Sequence, residues 1–388
     1  MKIFSIIFRN AFRHRLRSIL TVAGIATAVM AFGILRTIIG AWNAGVTSAS
    51  TNRMIVRHRV SFIFPLPITD LQQLQRVAGV TGVSWSNWFG GVYGDPNDFK
   101  NFWPRLAVDP ATYFTLYPEF MVPPDQFAAF QRDRNACIIG RKLAAQKGFK
   151  IGDVISMDGD IFPGRWEFVV RGIYTGKDPS VDETQMFFQW EYLSEQVKQR
   201  EPGRNVDAGW YILKVANAGD MPTVSATVDS AFTNSQAPTK TESERAFQQG
   251  FVSMSSAIIT SLKVISFVII AIILLVLGNT IVMSVRERTR EYAILKTLGF
   301  TGRHVATFIL GESLIIGLAG GVLGLALTFP IVQGVGHALP TMFPVIGVSA
   351  LTVVLVLAVA ALSGLAAAAL PAVRAVRLSI VNGLRTVG

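Results

Sequence analysis

The longest stretch without a charged side chain covers residues 313–373, where His337 is the sole titratable group. Two shorter uncharged stretches cover residues 18–35 and 264–285. A helix needs about 20 mostly apolar residues to cross a bilayer core of about 30 Å, so the longest stretch can cross twice. Because 51% of the 388 residues are hydrophobic and only 16% are charged, the chain is too apolar for ordinary soluble domains. We therefore expect a membrane protein.

The uncharged stretches predict four membrane-spanning helices, near residues 17–40, 256–285, 304–333 and 347–371. The break between the last two is placed at "GVGHALPTMFP", where Pro340 and Pro344 oppose helix continuation and Gly334 and Gly336 weaken it. The expected fold is thus four transmembrane α-helices with a large α+β domain inserted between helices 1 and 2. The predicted segments are a basic entry helix with span 1 (1–40), the inserted domain (41–250), span 2 (251–285), a charged connection (286–303), span 3 (304–333), a short loop (334–346), span 4 (347–371) and a tail (372–388).

The distribution of Lys and Arg predicts the orientation in the membrane. Five basic residues precede the first span, five lie in the charged connection and three follow the fourth span, whereas the loop between spans 3 and 4 has none. By the positive-inside tendency, both termini and the charged connection are cytoplasmic, and the inserted domain lies outside. These cytoplasmic pieces hold 13 basic and 2 acidic residues, against 23 basic and 22 acidic over residues 36–263. The net charge of +11 therefore sets topology, and we expect no nucleic-acid partner.

The first span has a competing interpretation as a cleaved signal peptide, with a basic start, an apolar core and "TSAS" as a cut site. Its apolar run exceeds the usual signal-peptide core of about 7–15 residues, and four spans place both termini on one side. We favour the membrane-spanning interpretation. Cys137 is the single cysteine, so the inserted domain must be held together by its core rather than by a disulfide.

The inserted domain alternates strand and helix patterns. The segment "ACIIGRKLAAQKGFKIGDVISM" predicts a helix ended by Gly148, a turn and a strand, and "RWEFVVRGIYTG" has the alternation of a half-buried strand. A further strand and helix are predicted in "WYILKVANAGDMPTVSATVDSAF". These patterns predict an α+β fold.

No set of catalytic or metal-binding residues is predicted in the inserted domain. His58 lacks any metal-site spacing and is expected at a solvated strand position, while Asp158 and Asp160 fit a hairpin turn better than a calcium loop. An aromatic group has two interpretations: core packing, or an apolar outer surface that handles cargo or a partner. This group comprises Trp85, Trp88, Phe89 and Trp103.

The charged connection, "RERTREYAILKTLG", predicts a short amphipathic helix. Tyr292, Leu295 and Leu298 recur at spacings of three, Gly299 supplies a left-handed stop, and Thr301 is a candidate N-cap of the third span. One interpretation is a basic helix anchored to lipid headgroups. The other is a contact through which a cytoplasmic partner moves the spans.

Residues 278–324, "GNTIVMSVRERTREYAILKTLGFTGRHVATFILGESLIIGLAGGVLG", resemble the core of the MacB/FtsX-type permeases, the type VII ABC transporter family that includes lipoprotein-releasing permeases. "NAFRHRLRSILTVAGIATAV" is similar to that family's entry into its first span, and "LPAVRAVRLSIVNGLR" to its C-terminal end. "IGRKLAAQKGFKIGDVISM" followed by "FVVRGIY" is similar to its extracytoplasmic domain. The resemblance thus covers the middle and both ends of the chain.

This resemblance implies a permease subunit that a separate cytoplasmic ATPase drives by mechanotransmission, for export, efflux or lipid and lipoprotein trafficking. ATP and Mg would act through that ATPase, because the chain has no GxxxxGK[ST] phosphate loop and is expected to be neither an enzyme nor a cofactor-binding protein. Implied partners are a second permease chain, identical or different, and a periplasmic adaptor or lipid carrier, in a bacterial inner membrane. The implied ATPase-coupling residues are Arg286, Glu287, Arg288, Arg290, Glu291, Tyr292, Leu295, Lys296, Leu298 and Gly299.

Within the spans, Glu312 stands out because an ionisable group at that depth is usually functional, and we expect a structural or coupling role rather than a proton relay. Asn279 is predicted to donate a hydrogen bond between helices. Small residues spaced by four predict close helix packing, within the chain or between two chains. They are Gly317, Gly320, Gly321 and Gly324.

Two other functions remain open from the sequence. Some members of the same family activate an extracytoplasmic hydrolase without transporting anything, so an FtsX-like signalling subunit is the main alternative. An independent channel or secondary transporter is disfavoured, because spans 3 and 4 have few polar side chains to line a pore.

Overall fold

The computed structural model describes residues 11–98, 101–339, 343–377 and 379. The chain divides into two compact units. A helical unit contains the four long apolar helices, and the inserted domain consists of Trp42–Met254 with Ala338–Val345. In chain order, the α-helices are α1 (Arg15–Trp42), α2 (Ala44–Ser48), α3 (Leu71–Gln75), α4 (Tyr113–Leu116), α5 (Pro124–Arg132), α6 (Arg141–Lys147), α7 (Trp190–Arg200), α8 (Met221–Ala231), α9 (Glu244–Met254), α10 (Ser256–Glu287), α11 (Thr289–Thr297), α12 (Gly302–Ala338) and α13 (Ala350–Arg377).

The helices α1, α10, α12 and α13 are long and apolar enough to cross a membrane, as the uncharged stretches predicted. All four helices end later than predicted, although α13 begins at Ala350, three residues after the predicted start of its span. α12 continues through Gly334 and Gly336 to Ala338, and α13 continues through Pro371 to Arg377. In lipid an unpaired backbone group costs several kcal/mol, so a helix is retained through residues that would weaken it in water. Pro340, where the break was predicted, lies outside the described residues, as do residues 1–10 and most of the predicted C-terminal tail.

The helix α12 is packed closely on both sides by neighbouring spans. A β-carbon at Gly317 would lie 2.8 Å from the Ala360 carbonyl oxygen of α13. On the other face, a β-carbon at Gly324 would lie 2.5 Å from the Ala26 carbonyl oxygen of α1. Gly321 faces α13 and Gly320 faces α1 in the same way. The four glycines thus form contacts within the chain, which was one of the two alternatives the spacing left open.

The inserted domain is built on a single mixed sheet. Among the described residues its strand order is β11-β1-β10-β2-β4-β9-β6-β8-β7-β3, with β5 paired to β8. The β4–β9 and β6–β8 pairs are parallel and the other neighbours antiparallel. The strands are β1 (Arg53–His58), β2 (Val80–Trp88), β3 (Gly91–Val92), β4 (Arg105–Val108), β5 (Phe120–Met121), β6 (Ala136–Gly140), β7 (Val154–Gly159), β8 (Gly164–Gly176), β9 (Met186–Gln189), β10 (Trp210–Val215) and β11 (Thr239–Ser243).

The sheet carries two lobes that share a core. The first lobe comprises β11, β1, β10 and β2, and the second comprises β4 and the strands that follow it in the sheet order. One hydrophobic cluster joins them, since Ile55 and Ile212 of the first lobe pack with Val108 and Phe187 of the second. The predicted helix before Gly148 and the strands β7, β8 and β10 are confirmed, and Gly148 adopts a left-handed φ of 72°. Asp158 and Asp160 lie at the β7–β8 hairpin, as expected.

Candidate functional site

The charged connection contains a buried ion pair that joins it to α12. Nη1 of Arg288, at the junction of α10 and α11, donates to Glu312 Oε2 at 2.9 Å. Ser284 Oγ of α10 donates to the other carboxylate oxygen at 3.1 Å. The side chains of Arg288 and Glu312 are only 5% and 8% exposed. Arg288 was implied as an ATPase-coupling residue, and its guanidinium is turned inward, where it compensates the buried carboxylate.

Tyr292 and Leu295 seat α11 on the helical unit. Tyr292 is buried among Val305, Ile309 and Ala372, and Leu295 packs against the same cluster. Burial raises the pKa of the Tyr292 phenol to about 12, and the neighbouring Glu312 adds to this shift. The phenol therefore stays protonated at neutral pH. These two side chains fix α11 rather than forming its outer surface.

Lys296 connects α11 to the end of α13. Its Nζ donates to the backbone oxygens of Ala375 and Val376 at 3.2 and 2.9 Å. These carbonyls belong to the last turn of α13, where a cation is favoured by the helix dipole. A residue predicted to contact the ATPase thus also ties α11 to the fourth span.

The acidic residues of the connection pair with the segment that enters α1. Glu287 accepts two hydrogen bonds from Arg17 Nη1, both at 2.8 Å, and Glu291 accepts one from Arg13 at 2.6 Å. All but Arg17 are about half exposed, so each pair contributes little energy by itself. Arg13 and Arg17 were interpreted from the sequence only as topology signals, and this pairing was not predicted. The available clue was that basic residues precede span 1 and acidic residues follow span 2.

An exposed stripe remains on the outer side of the connection, and we define it as Arg286, Arg290, Ile294 and Leu298. Arg290 and Ile294 lie four residues apart on one face of α11, while Arg286 belongs to the last turn of α10 and Leu298 follows the end of α11. Leu298 is 71% exposed, although it is apolar. Gly299 ends the segment with a left-handed φ of 90°, as predicted. Thr301 precedes α12, but its hydroxyl lies 2.8 Å from His304 Nδ1 rather than capping a backbone amide.

The prediction for Asn279 is not supported. Asn279 lies on the exposed side of α10, and within the described part of the chain it has no hydrogen bond to another helix. The adjacent Thr280 makes the interhelical contact instead, with its hydroxyl 3.1 Å from that of Thr21 in α1.

The aromatic group of the inserted domain does not form a common surface. Phe89 and Trp103 are fully buried in the core of the second lobe, so a cargo surface is the wrong interpretation for them. Trp85 is half-buried against the first lobe and meets Trp190 edge to face at 5.9 Å. Trp88 is half-buried beside Phe102. Core packing explains the group.

A second buried ionic cluster lies where the inserted domain meets its two connections. Arg53, the first residue of β1, donates through Nε to Glu244 Oε2 at 2.9 Å and through Nη2 to Glu119 Oε1 at 2.5 Å. Its Nη1 donates to the Leu116 carbonyl at 2.8 Å. Burial by itself lowers the pKa of Arg53, but the hydrogen bond to Glu119 and the charge of Glu244 raise it overall. Glu244 begins α9, so this cluster ties the incoming and outgoing segments together.

The described residues contain no group of three or more His, Cys, Asp or Glu side chains that could hold a metal ion. His58 ends β1, where its Nδ1 accepts the Val60 amide at 3.2 Å. Cys137 is buried in the core, and burial raises the pKa of its thiol. The polar clusters of this chain therefore connect structural elements.

The fold and these clusters define a multi-pass membrane protein with an α+β domain between its first two spanning helices. Residues 18–231 match the family model described as MacB-like periplasmic core domain, and residues 263–380 match the one described as FtsX-like permease C-terminal. The chain belongs to the MacB/FtsX-type ABC transporter permeases. Such a permease is a membrane subunit, and the family implies a cytoplasmic ATPase partner.

Three known proteins are similar to this chain over part or most of its length. The uncharacterized ABC transporter permease MJ1507 of Methanocaldococcus jannaschii is 24% identical over 344 residues, which cover 84% of this chain and 83% of the relative. The periplasmic region of MacB from Actinobacillus actinomycetemcomitans is 10% identical, with 53% of this chain and 95% of that chain covered and a TM-score of 0.37. The extracellular domain of the transporter YknZ from Gram-positive bacteria is 13% identical, with 49% and 100% covered and a TM-score of 0.34.

Proposed function

We propose that this chain couples ATP hydrolysis on a separate cytoplasmic subunit to movement of its inserted domain, with α11 as the coupling helix. One observation carries the proposal: α11 and the residues flanking it are bonded to all four spans. Glu287 pairs with the start of α1, and Arg288 follows α10 and pairs with Glu312 of α12. Lys296 binds the end of α13. A displacement of α11 would therefore act on every span at once.

The exposed stripe is the proposed docking surface for the ATPase. It offers two guanidinium groups, Arg286 and Arg290, and two apolar side chains, Ile294 and Leu298, none of which supports the helical unit from inside. Positive charge steers an encounter with an acidic surface, while the apolar side chains gain most when they are buried at the interface centre. ATP and Mg bind to the partner subunit in this proposal.

The movement would act on a substrate outside the membrane, in export, efflux or lipid and lipoprotein trafficking, together with an adaptor or lipid carrier. In support, α12 packs closely through its glycines against two neighbouring spans. This packing leaves little room for a hydrophilic pore beside α12. The membrane would be the inner membrane of a bacterial cell, with both termini cytoplasmic.

A second permease chain is part of the proposal. Asn279 supports it, because a primary amide on the exposed side of a spanning helix would face lipid in a single chain. α10 is also the least covered of the four spans, with 17% of its most apolar window buried. Pairing through α10 would cover both features.

Replacing Leu298 by aspartate is expected to lower the amount of ABC-type ATPase that co-purifies with the full-length permease by at least about tenfold. Losing a buried leucine and gaining a charge at the centre of an interface weakens the free energy of binding by more than about 1.4 kcal/mol. That amount corresponds to a tenfold change in affinity. The measurement is quantitative mass spectrometry of the complex purified from its host through a permease tag, with ATP hydrolysis by the same sample as a second readout.

Ile151→Asp is the matched control, since Ile151 is an exposed apolar residue of the inserted domain and should leave ATPase recovery unchanged. Both variants should elute at the same volume as the unmodified permease after the ATPase is removed. Equal ATPase recovery with Leu298→Asp and Ile151→Asp would contradict the proposed docking surface.

A further inference from the structure

An apolar loop tip follows β1 in the inserted domain, and we define the tip as residues 59–64. Val60 and Ile63 are 74% and 78% exposed, and Phe62 and Phe64 are exposed as well. Four large apolar side chains in five successive residues are more than scattered surface hydrophobics, and such a patch marks an interaction site. This segment was not among the residues predicted from the sequence to form a site.

The tip contacts the helix that leads into the second span. The Phe62 ring meets the Phe251 ring of α9 edge to face, with centroids 5.3 Å apart. Phe251 is itself exposed, and Met254, the last residue of α9, is 79% exposed. Only Ser255 separates α9 from α10, so the Cα atoms of Met254 and Ser256 lie at most about 7 Å apart. The tip is thus attached beside the start of α10, the second spanning helix.

Four backbone amides of the tip donate hydrogen bonds within the domain. The Val60 amide donates to His58 Nδ1 at 3.2 Å, the Ile63 amide to Ser61 Oγ at 3.3 Å and the Phe64 amide to the Ser61 carbonyl at 3.3 Å. The Arg59 amide donates to the Pro238 carbonyl at 2.8 Å. Backbone groups without partners make a loop costly to place in lipid, and these hydrogen bonds lower that cost for the four amides.

We propose that the tip and the end of α9 insert their apolar side chains into the lipid leaflet that α10 enters. The occupant is the phospholipid layer itself. The tip adjoins the membrane entry of α10 along the chain, and its exposed Arg59 suits the phosphate groups at the level of the headgroups. This shallow insertion holds the membrane-facing side of the inserted domain at the bilayer, in addition to the covalent connections to the spans.

Site-directed spin labelling tests the proposal on the full-length chain in vesicles of phosphatidylcholine and phosphatidylglycerol. Ile63→Cys carries the nitroxide, and Ile151→Cys, another exposed isoleucine of the same domain, is the matched control. Cys137 is buried in the core and stays unlabelled. Power-saturation spectra report collisions with oxygen, which concentrates in lipid, and with a water-soluble nickel chelate.

At residue 63 the ratio of oxygen to nickel collisions is expected to be several-fold higher than at residue 151. A label at Met254→Cys should resemble the one at residue 63. A ratio at residue 63 equal to that at residue 151 means that the tip faces water and overturns the proposal. Protection from both reagents means that a protein surface covers the tip, and this result overturns it equally.

Discussion

Replacing Glu312 by alanine is expected to lower the free energy of unfolding of the helical unit by about 3–5 kcal/mol. The substitution leaves the Arg288 guanidinium in a site 5% exposed without the carboxylate that it contacts at 2.9 Å. Removing one partner of a buried pair costs more than the pair contributes, because the remaining charge stays desolvated. The double variant Arg288→Met and Glu312→Leu removes both charges and should recover most of the loss.

Two optical signals separate this effect from the inserted domain. Six of the seven tryptophans lie between residues 85 and 210, so tryptophan fluorescence follows the inserted domain, whereas circular dichroism at 222 nm also follows the spanning helices. In mixed micelles titrated with sodium dodecyl sulfate, Glu312→Ala should move the dichroism transition and leave the fluorescence transition in place. Glu287→Ala is the control, because its half-exposed pair with Arg17 should cost less than about 1 kcal/mol. Equal shifts for the two variants would contradict a buried ionic connection between α11 and α12.

Replacing Arg53 by methionine is expected to destabilise the inserted domain by about 3–5 kcal/mol, since it leaves the carboxylates of Glu119 and Glu244 without their shared cation. Methionine keeps much of the volume of the arginine stem, so the loss reports the charge and hydrogen bonds more than a cavity. The readout is tryptophan fluorescence during unfolding in urea, with the full chain held in detergent.

The matched control is Arg57→Met on the same strand. Arg57 pairs with Glu242 at 2.8 Å, but both side chains are more exposed than Arg53 and Glu244, and the expected cost is about 1 kcal/mol. A difference below about 1 kcal/mol between the two variants would show that the Arg53 cluster does not stabilise the domain beyond an ordinary surface pair.

The uncharged stretches were enough to predict the four spans because lipid imposes a strong length and polarity requirement on each helix. Their bounds were less predictable. α13 passes through Pro371 to Arg377, since the spanning helices around it can compensate for one missing backbone donor. In the inserted domain, β8 could be predicted from its alternation of apolar and polar residues. The sheet order could not, because it depends on contacts between residues far apart in the chain.

The direction of each charged side chain on the connection was the least predictable part of the candidate site. Arg288, Tyr292 and Lys296 recur every four residues and share the inner face, while Arg286 and Arg290 share the outer one, but residue type alone does not say which arginine is buried. Leu295 and Leu298 were both implied as ATPase-coupling residues, and of the two only Leu295 packs against the helical unit. α11 ends at Thr297, so Leu298 falls outside the regular face and stays exposed.

The strand β2 of the first lobe pairs with β4 of the second, and this connection has a mechanical consequence. Its Trp85 pairs with Tyr211 of the first lobe, and its Trp88 pairs with Leu106 of the second. The two lobes also share the core that includes Ile55 and Phe187. They therefore cannot separate by a hinge motion without breaking sheet hydrogen bonds and disrupting that core. A force applied where β1 begins would therefore be passed across the paired strands to the opposite edge of the sheet, at β7 and β3.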